Sequence, residues 1–183
     1  MHLYLTRHGE TQSNVQGRYC GSADIPLNET GIKQAHDLAF RLKDICFDAI
    51  ISSPMLRARQ TTEIVSATLN MQYSIYEQFA ERNMGIYEGL TRNEAKEQHP
   101  DIWRRLSTGS PDEAPDGGET IREACNRIDD GMTRLLHDYR NKTVLLVCHG
   151  LTARAVNRFC LGLQFDQMHS FTLWNCEVAE YKL

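Results

Sequence analysis

The chain has 183 residues, of which 41% are hydrophobic and 24% charged, with a formal net charge of −4. A chain of this length buries about 70% of the surface it exposes when unfolded, so a single domain over residues 1–183 is expected without covalent staples. The composition excludes disorder as the main state, and the acidic balance argues against nucleic acid as a partner.

Leu3-Tyr4-Leu5 is a short apolar run that stops at a polar cluster, the pattern of a buried strand. Asn28-Glu29-Thr30-Gly31 opens a helix in which Ile32, Ala35, Leu38, Ala39 and Leu42 recur at helical spacing. Residues 47–51 read as a second strand, closed by Ser52-Ser53-Pro54. The helix that follows carries Leu56, Thr61, Ile64, Val65 and Leu69 near one face, and Pro54 suits its first turn. Residues 73–76 read as an edge strand, and residues 91–98 as a short helix that His99-Pro100 interrupts. Residues 108–118, with three glycines and two prolines, form a loop. A long helix from Glu119 to about Tyr139 turns Ile121, Ala124, Ile128, Met132 and Leu135 inward. Residues 143–148 are continuously apolar, as a strand buried on both faces requires. A helix over residues 151–161 and a last edge strand over 175–183 complete the chain. Alternation of this kind predicts an α/β fold, a three-layer α/β/α sandwich with a mainly parallel central sheet.

The six cysteines are scattered, with no CxxC pair, and Met1 to Leu5 run directly into Thr6-Arg7-His8 without a signal-peptide core. Reduced thiols and a cytoplasmic location are therefore expected. No apolar stretch approaches the roughly 20 residues needed to span a bilayer, so no membrane partner is expected. No Asp/His/Glu cluster at ligand spacing points to a metal, and no cofactor is implied.

Three of the apolar strands end in reactive or cationic groups: Thr6-Arg7-His8-Gly9-Glu10-Thr11, Ser52-Ser53-Pro54-Met55-Leu56-Arg57-Ala58-Arg59, and Cys148-His149-Gly150. Loops at the carboxyl ends of parallel strands are where α/β folds build their sites. If these strands are neighbours, two imidazoles and two arginines converge on one crevice, and the arginine fork matches phosphate or carboxylate oxygens. Each residue alone is weak evidence. A lone strand-end His is more often structural, Arg57 and Arg59 read as solvated helix residues, and Glu81 reads as a loop charge beside Arg82.

The ordered set of motifs is more specific. Leu5-Thr6-Arg7-His8-Gly9-Glu10-Thr11 with Asn14, Leu27-Asn28-Glu29-Thr30-Gly31, and Ser52-Ser53-Pro54 with Arg57-Ala58 and Gln60-Thr61 resemble the histidine phosphatase superfamily, the phosphoglycerate-mutase-like fold. Glu81-Arg82-Asn83-Met84-Gly85 with Gly89, Gly117-Gly118-Glu119-Thr120 and Val147-Cys148-His149-Gly150 continue the resemblance in family order. The resemblance implies that His8 is the nucleophile that becomes phosphohistidine. It also implies that Arg7, Arg57 and a protonated His149 line the phosphate pocket with Asn14, and that Glu81 donates the proton to the leaving oxygen. Gly150 would let the backbone approach closely. Cys20, Gly21, Arg82 and Leu151 are expected on the phosphate and substrate side, with Arg18, Tyr19, Tyr87 and residues 108–118 toward the leaving group. Tyr19 and Trp103 read equally well as packing.

Mutases that resemble this chain carry an insertion between the Glu81 region and the late histidine, and an Asn where Leu151 stands. Both departures favour hydrolysis of a small phosphorylated metabolite, with α-ribazole-phosphatase-like features, by a monomer or homodimer. A 2,3-bisphosphoglycerate-dependent mutase is the alternative, and Ile102-Trp103-Arg104-Arg105 resembles a basic substrate-contacting stretch of such enzymes. A silent phospholigand-binding member is the other.

Overall fold

The computed structural model describes residues 1–183. The strands are β1 (His2–Arg7), β2 (Ala49–Ser52), β3 (Tyr73–Ile75), β4 (Thr143–Cys148) and β5 (Val178–Lys182). The helices are α1 (Gln12–Val15), α2 (Glu29–Leu42), α3 (Leu56–Leu69), α4 (Arg92–Gln98), α5 (Pro100–Leu106), α6 (Ile121–Asp138) and α7 (Gly150–Leu161). The sheet order is β3-β2-β4-β1-β5, parallel except for β5, which runs antiparallel to β1.

Period-two alternation divides the core between two faces. Leu3 and Leu5 of β1 and Val144, Leu146 and Cys148 of β4 face α6 and α7, with Ile128, Met132 and Leu135 opposite them. Tyr4, Leu145 and Val147 face the other way, onto Ala35, Leu38, Ala39 and Leu42 of α2 and Ala58 and Val65 of α3. The result is the expected three-layer sandwich, in which β4 is apolar throughout because helices cover both its faces.

Several local expectations change. Ile32 is 43% exposed; Gly31 takes the inward position instead, where a β-carbon would stand 2.1 Å from the Glu10 carbonyl oxygen. Pro54 lies outside the helix it was expected to open: Met55 is the N-cap of α3. The inward face of α3 is mixed, with Arg57, Thr61, Thr62 and Ser66 buried beside Ala58 and Val65, so the apolar stripe is weak. Pro100 ends α4 and also opens α5, where its fixed φ and missing N–H suit the first turn. α1 follows a Thr11/Asn14 capping box. β5 begins at Val178 because Cys176 adopts a left-handed backbone, φ 56°, and Asn175 makes only an isolated bridge to Arg7.

Candidate active site

The parallel register puts the three reactive strand ends side by side. Arg7 pairs with Cys148 and Ser52 with Val147, while the His8 and Ser53 N–H groups donate to the Cys148 and Val147 carbonyls. β4, between β1 and β2, thus carries His149 next to both His8 and Ser53. The His8 and His149 ring centroids are 5.2 Å apart.

His8 is 2% exposed, and its Nδ1–H donates to the Gly9 carbonyl at 2.6 Å, which leaves the Nε2 lone pair free. Burial, with the charges of Arg57 and Arg7, lowers the His8 pKa well below the ordinary histidine value. The ring is neutral at physiological pH, the state a nucleophile needs.

His149 is wholly buried, and the same causes, with His8 added, lower its pKa. The expected protonated His149 is therefore corrected to a neutral ring. Its Nε2 lies 2.6 Å from Ser53 Oγ, which itself accepts the Met55 N–H at 3.3 Å. Nε2 is the one acceptor within reach of the Ser53 hydroxyl, so the hydroxyl donates to it and the proton of His149 resides on Nδ1, a buried atom without a partner. His149 serves as a neutral donor.

Arg57 is 1% exposed; Nη1 and Nη2 donate to the Ala23 and Gly21 carbonyls, both at 2.8 Å, and Nε is unpartnered. Gly21 has φ +50°, and a β-carbon there would meet Glu88 Oε1 at 2.1 Å, so the turn that supplies this carbonyl requires glycine. Arg7 donates weakly to the Leu173 carbonyl at 3.4 Å, and its buried Nε is also unpartnered. Asn14 Oδ1 accepts from the Thr11 N–H and from Asn175 Nδ2, so its own amide donors remain available. Arg59 turns away toward Asp24, 3.7 Å distant.

Glu81 lies at the amino end of α7. Oε2 accepts the Leu151 N–H at 3.1 Å, Oε1 accepts the Arg82 N–H at 3.0 Å, and Thr152 Oγ1 stands 3.5 Å from Oε1. Leu151 therefore orients the carboxyl group through its backbone. Arg82 does not pair with it by side chain: its guanidinium donates to the Glu119 and Glu113 carbonyls. At Gly150 a β-carbon would meet nothing nearer than Glu81 Oε2 at 3.8 Å and Arg7 Cζ at 3.9 Å, so the position faces the site.

These residues surround a cavity of about 350 Å³ whose wall includes Arg7, His8, Asn14, Cys20, Gly21, Arg57, Glu81, Arg82 and Leu151. His149 lies beside His8 and is wholly buried. Five arginines (Arg7, Arg18, Arg57, Arg82 and Arg154) face one carboxylate, Glu81, so the cavity is cationic although the chain is acidic. Ser53, Asn175, Arg154 and His169 escape the sequence reading as site residues. Ser53 stands inside a recognised motif and Arg154 follows Cys148-His149-Gly150 by about one helical turn, whereas nothing near Asn175 or His169 signals where tertiary packing brings them.

Two expected results follow from this geometry. Arg57→Lys loses the fork that holds the Gly21 and Ala23 carbonyls, and should cost about 2–4 kcal/mol of stability and at least about 10²-fold in kcat/KM. Urea unfolding and steady-state kinetics measure both; a loss under about 1 kcal/mol with kinetics within threefold would contradict it. The two buried histidines have folded pKa values below their unfolded ones, so below about pH 6.5 the unfolded chain binds more protons. Stability should then fall with acidification, by up to about 1.4 kcal/mol per pH unit for each ring until its folded pKa is passed. His149→Gln should flatten the slope between pH 6.5 and 5, and an unchanged slope would refute the assignment.

A cationic crevice at the ends of adjacent parallel strands, with a neutral imidazole beside it, defines an α/β enzyme that handles phosphate esters. The family model described as histidine phosphatase superfamily (branch 1) matches residues 3–183, and the chain belongs to that family as an enzyme of its phosphatase class. It is 34% identical over 183 residues to an uncharacterized phosphatase, PhoE, of Bacillus subtilis, covering 97% of this chain and 89% of that protein. It is 32% identical over 181 residues to a probable phosphoglycerate mutase, GpmB, of Escherichia coli, covering 98% and 83%. Among solved structures, a putative alpha-ribazole-5'-P phosphatase from Escherichia coli superposes with a TM-score of 0.93 at 25% identity, covering 98% of this chain and 89% of the other.

Proposed function

We propose that the protein is a metal-independent phosphomonoesterase that hydrolyses a small phosphorylated metabolite in two displacements. In the first, His8 Nε2 attacks phosphorus, the bond to the ester oxygen breaks, and Glu81 gives that oxygen a proton. In the second, Glu81 takes a proton from water, the water oxygen attacks phosphorus, and the P–N bond breaks to release phosphate and restore neutral His8. A covalent intermediate divides one difficult displacement into two easier ones.

The observation that carries this reading is the set of buried donors without partners beside His8: Arg7 Nε, Arg57 Nε and His149 Nδ1. Unsatisfied buried donors are costly, and a phosphoryl group on His8 would satisfy them while its charge spreads over three oxygens. The test is p-nitrophenyl phosphate hydrolysis in EDTA between pH 5 and 8. Activity no higher than that of His8→Ala would end the reading, and loss of activity on chelation would end its metal-free form.

A mutase reading draws on the GpmB relatives. Against it, Arg104 and Arg105 line neither the catalytic cavity nor the one beside it. Arg105 is held by Glu113 and Asp116, and Arg104 by Asp101. Isomerisation of 3-phosphoglycerate that needs 2,3-bisphosphoglycerate and releases no phosphate would reverse this choice. Alpha-ribazole 5′-phosphate is one candidate substrate, supported by the structural relative.

A further inference from the structure

The two displacements use neither Glu119, which stands in the Gly117-Gly118-Glu119-Thr120 segment, nor Arg127 of α6. These side chains pair fork to fork: Arg127 Nε donates to Glu119 Oε1 at 3.1 Å, and Nη2 donates to Oε2 at 2.8 Å. Both are mostly withdrawn from solvent, with 27% and 19% of their side chains exposed. A bidentate pair fixes the plane of the guanidinium as well as its place. The remaining nitrogen, Nη1, donates to two backbone carbonyls, Gln78 at 2.8 Å and Ala80 at 3.1 Å.

Those carbonyls lead directly into Glu81. The Ala80 carbonyl belongs to the planar peptide unit that joins Ala80 to Glu81, so its direction sets where the Glu81 side chain departs. The same oxygen accepts from Thr152 Oγ1 at 3.1 Å, and that hydroxyl stands 3.5 Å from Glu81 Oε1. Beyond Glu81, the Glu119 carbonyl accepts from Arg82 Nε at 2.7 Å, and the Glu119 N–H donates to the Asn83 carbonyl at 2.9 Å. Glu119 thus grips the chain after Glu81 by its backbone and the chain before it through Arg127. The contacts converge on the residues either side of the proton donor. A carboxyl group that must reach the leaving oxygen loses efficiency when it is displaced by about 1 Å.

We propose that Arg127, pinned by Glu119, is a positioning residue for the proton donor: by holding the Gln78 and Ala80 carbonyls it fixes the Glu81 carboxyl group at the leaving oxygen. The inference rests on the reading of Glu81 as the acid and adds the support that makes the acid effective.

The experiment follows phosphoryl transfer to the enzyme in single turnover with two esters. The leaving group of p-nitrophenyl phosphate departs unaided, whereas that of phenyl phosphate depends on the acid. Arg127→Lys keeps the charge, but its single nitrogen cannot serve the Glu119 fork and both carbonyls in one plane. It is expected to slow phenyl phosphate by about tenfold or more and p-nitrophenyl phosphate by no more than about threefold. The inhibition constant of inorganic phosphate should stay within about twofold, since the phosphate pocket is untouched. In a Glu81→Gln background, Arg127→Lys should cost no further rate with phenyl phosphate, because the group it positions is gone. Glu119→Gln keeps its backbone contacts and should show the same selective loss, of at least about threefold; it decides the matter if Arg127→Lys does not fold. Equal losses for the two esters, or no loss for either, overturn the inference, as does a further loss in the Glu81→Gln background. A selective loss in Glu81→Gln without one in Arg127→Lys removes this inference alone. Equal losses for both esters in Glu81→Gln itself remove the acid assignment and this inference with it.

Discussion

His8→Ala is expected to abolish turnover and covalent phosphorylation together, with kcat reduced on the order of 10⁴ or more. The ring has a neutral form, a free Nε2 and a fixed orientation. His149 is the imidazole beside it, but Ser53 occupies its Nε2. Rapid quench with a ³²P-labelled substrate should show an acid-labile adduct in the wild type and none in the variant. A labelled adduct that persists in His8→Ala would move the nucleophile elsewhere. The variant should remain folded, since the lost side chain makes one hydrogen bond, to the neighbouring Gly9 carbonyl.

Glu81→Gln should separate substrates by the quality of their leaving groups. The amide oxygen can still accept one of the two backbone N–H bonds, so the side chain keeps its place while losing its transferable proton. Phosphorylation by an alkyl phosphate should slow by about 10²–10⁴-fold, because its leaving oxygen needs that proton. Phosphorylation by p-nitrophenyl phosphate should slow by no more than about tenfold, since p-nitrophenolate leaves unaided. The second step also needs Glu81, as a base. A burst of p-nitrophenol followed by slow turnover is therefore the expected trace, with phosphohistidine accumulating. Equal losses of the burst rate for both ester types would show that Glu81 is not the acid.

What the sequence made legible depended on how local the cause is. β4 could be read from its continuous apolar run, and β1 from the apolar residues that stop at Arg7-His8. The placement of Arg7, His8, Arg57, Glu81 and His149 in one region followed from motif order together with strand adjacency. Ile32 was misassigned because helical spacing cannot foresee that Gly31 must approach the Glu10 backbone. The charge state of His149 was misjudged because burial beside two arginines is a property of the assembled site. The Asn175 amide that reaches both the His8 carbonyl and Asn14 depends on the turn before β5, about 160 residues away in sequence. Its partners are set by packing, not by neighbours in the chain.

The central position of β4 has a consequence for biogenesis. The nucleophile is encoded at residue 8 and its imidazole neighbour at residue 149, and Asn175 comes later still. β1 has no partner in the sheet other than β4 and β5, so the catalytic crevice has no precursor in the first three quarters of the chain. Such long-range pairing folds slowly and late. A polypeptide emerging from the ribosome would carry an exposed, unpaired β1 until the last strands appear, and activity would arise in one step with completion of the sheet. Premature termination before β4 should therefore yield inert chains, not weakly active ones.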